Sequence, residues 1–167
     1  MTGRTLVLTM AVVVAAVRAA DTPELLRLPT IDRSGAEVSL GDVLGDTPAV
    51  VVMLATYCPP CRAEVPTLNG VAKSPRKGAP VRIVGVFVDV DEPKGLARVA
   101  QEWDIGFDVR AVPPAAEEAA RALLPRGLPA TFTVRGRDVV RHDRVLDAER
   151  LGSLLDGLAA EPAAAAR

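Results

Sequence analysis

The sequence predicts an α/β fold in which a sheet containing parallel strands is covered by helices on both faces. Three observations predict it. Ala49 to Leu54 is a continuous apolar, largely β-branched run of strand length, as expected of a strand buried on both sides. Val81 to Asp89 is a second such run, and helical apolar spacing recurs after each, so strands and helices alternate along the chain. Finally, 167 residues of 49% hydrophobic composition give one domain a proper core, with no internal repeat.

Residues 1–20 read as an export leader. Arg4 supplies the positive start, Leu6 to Val17 an apolar stretch of about twelve residues, and Ala19 and Ala20 small residues for cleavage. That stretch is shorter than the roughly twenty residues needed to cross a bilayer, which favours cleavage, expected after Ala19, over retention of residues 5–20 as a membrane anchor. A lipoprotein anchor is excluded because no cysteine lies nearby. Either outcome places the protein outside the cytoplasm, in a periplasmic or other extracytoplasmic space where disulfides persist. The folded domain is expected over 25–160, followed by a frayed tail over 161–167.

Within the domain, Leu25 to Ile31 and Ala36 to Leu40 flank Asp32-Arg33-Ser34-Gly35 as a β-hairpin, and Gly41 to Leu44 forms a helical turn. After the central strand comes a helix that Pro66 should kink, then a polar loop from Lys73 to Pro80 and the second buried strand. Glu92 to Asp104 carries helical spacing through Leu96, Val99, Ala100 and Trp103, which makes Trp103 a core residue. A short strand at Phe107 to Val109 and a helix at Ala115 to Leu124 follow. Ala130 to Val134 and Val139 to Arg144 are strands joined by the turn Arg135 to Asp138. Ala148 to Leu158 closes the chain as a helix with Leu151, Leu154, Leu155 and Leu158 inward.

Formal net charge is −1 and the 20 basic residues are scattered, which excludes an electrostatic footprint for nucleic acid. The two cysteines fall in one motif, Cys58-Pro59-Pro60-Cys61, directly after the central strand. Prolines without an N–H fit only the opening of a helix, so Cys58 takes the N-cap and Cys61 the first turn. Residues three apart share a helix face at a separation suited to a disulfide. Such a bridge encloses almost no loop and stabilises the fold little, which suits a bond that is made and broken. At the positive end of the helix dipole Cys58 is the attacking thiol and Cys61 the resolving one. Because Pro59 and Pro60 cannot donate, the amides of Cys61 and Arg62 are the nearest donors to the thiolate, with the Arg62 charge available to add to the field. Weak stabilisation of the reduced form implies a comparatively reducing couple.

An aromatic residue before Cys-Pro-Pro-Cys, then Glu64 and Pro66, resembles the TlpA/ResA group of thioredoxin-like thiol-disulfide oxidoreductases over about Leu25 to Ala159. Tyr57 departs from the usual Trp. The resemblance implies a central mixed sheet flanked by helices, an N-terminal β-hairpin, and an inserted αβ unit between Asp89 and Pro113. It implies a cis proline at Pro129, facing the cysteines, with Leu128 pairing with an extended substrate segment. Tyr57, Pro59 and Pro60 complete the expected substrate-binding surface. For Glu64 two readings stand: an acid in a first helical turn that complements the dipole, or, by the resemblance, a partly buried catalytic carboxylate that moves protons. Val52 stands where thioredoxins keep a buried Asp, which leaves Glu64 the carboxylate candidate.

The resemblance implies reduction of protein disulfides, for instance of apocytochrome c thiols before haem attachment, with electrons from a membrane thiol donor. No cofactor beyond the disulfide and no resident metal is expected. The alternatives are a disulfide-donating oxidase, a peroxidase, and a copper chaperone using Cys58, Cys61 and His142. Peroxidases on this fold need Thr or Ser three residues before the reactive cysteine, where Ala55 stands. Copper-delivery proteins on it space their cysteines by three residues, so His142 is expected to be an exposed hairpin residue.

Overall fold

The computed structural model describes residues 23–75, 77–142 and 146–160. The leader and tail expected at 1–20 and 161–167 lie outside them. A seven-stranded mixed sheet, in the order β2-β1-β5-β4-β3-β6-β7, runs through the molecule. Its strands are β1 (Pro29–Ile31), β2 (Glu37–Ser39), β3 (Ala49–Leu54), β4 (Arg82–Phe87), β5 (Asp108–Ala111), β6 (Ala130–Arg135) and β7 (Asp138–His142). The helices are α1 (Glu24–Arg27), α2 (Leu40–Leu44), α3 (Pro59–Lys73), α4 (Pro93–Glu102), α5 (Glu117–Ala122) and α6 (Ala148–Ala160). Strands β3, β4 and β5 are parallel neighbours, while β6 pairs antiparallel with β3.

β3 explains why an uninterrupted apolar run was needed. Successive side chains point to opposite faces of a sheet. Val50, Val52 and Leu54 meet Val65 and Leu68 of α3, Leu96 of α4 and Leu151 and Leu155 of α6. Ala49, Val51 and Met53 meet Leu25, Leu40, Leu44 and Ala120 on the other side. Each of the six β3 residues is fully buried. The expected insertion is present as α4 and β5, and β5 joins the hairpin to the sheet through its antiparallel pairing with β1.

Local differences from expectation have local causes. Leu25 to Arg27 is helical, not strand: Pro23 opens a one-turn helix that buries both Leu25 and Leu26. The fifth strand begins at Asp108, not Phe107, because pairing with Val84 to Phe87 of β4 sets its register. Pro113 and Pro114 turn the start of the helix expected at Ala115 into a 3-10 turn over Pro114–Ala116, and α5 follows it. β7 starts at Asp138, and the expected end at Arg144 lies outside the described residues. Leu154 is half-buried at the edge of the α6 core face. Among the described residues no helix is long and apolar enough to cross a membrane.

Candidate active site

The site forms where β3 ends. Ala55 is fully buried, Thr56 and Tyr57 turn outward, and Cys58 caps α3. Cys58 N–H donates to the Ala55 carbonyl (3.1 Å), which closes this turn. Cys58 and Cys61 are joined in a disulfide with their Cα atoms 5.3 Å apart. Cys58 is 7% exposed and Cys61 0%, so Cys58 is the more accessible residue of the pair. Pro59 and Pro60 are exposed in the first turn, and Tyr57 is 72% exposed beside them.

The donors around Cys58 are fewer than expected. Cys61 N–H points at Cys58 Sγ (3.3 Å). Arg62 N–H goes instead to the Cys58 carbonyl (3.2 Å), as in any first helical turn. The Arg62 guanidinium lies over the Trp103 ring, 5.9 Å from its centroid. Trp103 is itself buried and packs edge-on against Phe87.

Glu64 lies in the second turn of α3, beyond the reach of a first-turn dipole role, and only 3% of it is exposed. At three residues from Cys61 it shares that residue's inward face. Leu146 N–H donates to Glu64 Oε1 (3.2 Å), while Oε2 has no protein partner. Burial raises the Glu64 pKa above its ordinary 4.5, against the smaller opposing effect of the Leu146 hydrogen bond.

The Leu128–Pro129 peptide is cis. Ala130 pairs with Met53, so the antiparallel register sets Pro129 at the end of β3 from which the cysteine motif departs. Leu128 is half-buried next to it. Sequence reasoning missed Asp89, just beyond β4. Its carboxylate accepts Thr56 N–H (2.8 and 3.0 Å) and the Thr56 hydroxyl. The buried runs of β3 and β4, which predict adjacent parallel strands, were the available signal for this approach.

His142 is half-buried, not an exposed hairpin residue, because it shares a hydrogen bond with Thr133 Oγ1 (3.1 Å) across the β6–β7 pair. Among the described residues no three His, Cys, Asp or Glu side chains are grouped to hold a metal.

Solved structures share this architecture. Mycobacterium tuberculosis DsbF is 22% identical, with a TM-score of 0.64 over 82% of this chain and 98% of that one. A secreted M. tuberculosis disulfide oxidoreductase homologous to E. coli DsbE is also 22% identical, with a TM-score of 0.63 over 80% and 98%. The thioredoxin domain of a Bacteroides vulgatus thiol-disulfide oxidoreductase is 19% identical, with a TM-score of 0.65 over 79% and 92%. No curated protein matches the chain. These likenesses show the fold, a thioredoxin-like one, and this chain carries a Cys-x-x-Cys disulfide at a helix N-terminus of it. The chain belongs to the AhpC/TSA family, whose model matches residues 14–143.

Proposed function

We propose that the protein is an exported, TlpA/ResA-like reductase of protein disulfides. The observation that carries the direction is the sparse donor set at Cys58. Two prolines offer no N–H, the Arg62 amide and guanidinium are engaged elsewhere, and among the described residues Cys61 N–H is the donor that faces the sulfur. A thiolate with so little stabilisation makes the reduced form a good electron donor.

In the forward reaction the Cys58 thiolate attacks one sulfur of a substrate disulfide. The substrate S–S bond breaks, a Cys58–substrate disulfide forms, and the departing substrate thiolate takes a proton. Glu64 then accepts the Cys61 proton, and the Cys61 thiolate attacks Cys58 Sγ. The Cys58–Cys61 bond forms as the second substrate thiolate leaves. Two electrons have passed to the substrate, and a membrane thiol donor restores them. Tyr57, Pro59, Pro60 and Leu128 present the substrate-facing surface, with Pro129 shaping the groove. Apocytochrome c thiols before haem attachment are a substrate of the right chemistry. Peroxide reduction is disfavoured by Ala55, whose methyl group stands where that chemistry uses a hydroxyl. The Thr133 hydrogen bond disfavours copper carriage through His142.

The test is the reduction potential of the Cys58–Cys61 couple, equilibrated against glutathione or dithiothreitol. A value near or below about −270 mV is expected, and one near about −120 mV would make the protein a disulfide donor instead.

A further inference from the structure

Asp89 is an acid bonded to the turn that leads into Cys58, and the exchange steps leave it unused. The β3–β4 ladder runs one bond past Phe87, with Val88 N–H donating to the Leu54 carbonyl (3.0 Å). Beyond that point Asp89 continues the connection with its side chain. Both of its oxygens accept Thr56 N–H (3.0 and 2.8 Å), and Oδ2 also accepts the Thr56 hydroxyl. Thr56 stands two residues before Cys58, within the turn closed by Cys58 N–H and the Ala55 carbonyl (3.1 Å). The turn is thus held from inside by its own bond and from outside by a carboxylate 33 residues on.

We propose that Asp89 is a positioning residue for Cys58, holding the Thr56 turn so that the Cys58 sulfur stays at the N-cap against Cys61 N–H when the disulfide is open. The inference rests on the reading of Cys58 as the attacking thiol. In the oxidised protein the S–S bond itself ties Cys58 to the helix. Reduction removes that tie and leaves the Asp89–Thr56 bonds as the side-chain hold on the turn. Position matters more than charge here. Asp89 is solvent-exposed and borders a cavity of about 320 Å³ that also carries Arg62, Asp91, Glu92, Arg98 and Glu102, so its field at the sulfur is screened and offset.

The experiment compares Asp89→Ala, Asp89→Asn and Thr56→Val in the reduced full-length protein. It reads the pH profile of iodoacetamide alkylation of Cys58, insulin reduction, and the thermal melt. Asp89→Ala is expected to displace the profile to higher pH and slow alkylation at neutral pH about three- to tenfold, the fall in thiolate fraction for a pKa rise of about half to one unit. Asp89→Asn keeps an acceptor oxygen for Thr56 N–H and is expected within about twofold of wild type. Thr56→Val removes only the hydroxyl bond and should move the profile the same way by less, which carries the test if Asp89→Ala does not fold. An unmoved profile in Asp89→Ala with a lowered melt makes the clamp merely structural and overturns the proposal. So does Asp89→Asn matching Asp89→Ala, because charge would then be the cause. An unmoved Thr56→Val overturns it where Asp89→Ala cannot be read. Wild-type protein that fails to reduce insulin overturns the oxidoreductase reading itself, which separates the two failures.

Discussion

Replacing Glu64 by Gln isolates a buried carboxylate whose ionisation the fold penalises. The side chain is 3% exposed, one oxygen receives a single backbone N–H, and the other has no protein partner. Burial raises its folded pKa above the ordinary 4.5. Between those two values the folded protein holds a proton that the unfolded chain has released, so stability falls as pH rises. The contribution is fully present below about pH 4.5 and lost as pH passes through the folded pKa. The slope for one proton is at most about 1.36 kcal/mol per pH unit. The assay is urea denaturation of the oxidised wild type and Glu64→Gln from pH 4 to 8. The oxidised form is used because disulfide-bonded cysteines do not titrate. Wild type should lose stability relative to Glu64→Gln as pH rises through this window, and the difference should then level off. A constant difference, or one that grows in favour of wild type, would refute the argument that desolvation outweighs the Leu146 hydrogen bond.

Cys61→Ser should accumulate a Cys58-linked mixed disulfide with a disulfide peptide, visible by mass spectrometry, whereas Cys58→Ser should form none because Cys61 is fully buried. Leu155→Ala, at a 1% exposed position of α6 packed on the β3 core, should destabilise the protein by about 2–5 kcal/mol in urea with little change in alkylation rate per folded molecule.

What the sequence made legible was local. Cys58-Pro59-Pro60-Cys61 specifies an N-cap and a bridge within one helical turn, and the β3 run specifies burial on both faces, whatever the rest of the chain does. Features set by pairing were hidden. The start of β5 follows from its register with β4, and the helical turn at Glu24–Arg27 is too short to show a period. The same division runs through the site. Cys58, Cys61 and Glu64 lie on one helix, but the partner of Glu64 is an amide 82 residues away and that of Thr56 a carboxylate 33 residues away. His142 was misread for the same reason, since the β6–β7 register pairs it with Thr131 and so brings Thr133, two residues along β6, within hydrogen-bond reach.

Asp89 and Glu64 differ in what their oxygens do, and in the proposed exchange this gives them different steps. Asp89 has both oxygens engaged by Thr56, which suits an anchor on the approach to Cys58. Glu64 keeps Oε2 unpartnered on the inward face that carries Cys61, which suits a proton acceptor in the resolving step. Glu64→Gln should therefore leave the first attack by Cys58 nearly unchanged and prolong the mixed disulfide, by about a hundredfold, the low end of general-base effects. Asp89→Ala should slow the first attack and leave resolution alone. Because the two residues share no hydrogen-bond partner, their effects should combine additively in the double variant. Stopped-flow kinetics on a disulfide substrate separate the two steps. A double variant no slower in either step than one of the single variants would mean that both acids act on a single event, and the division of labour would be wrong.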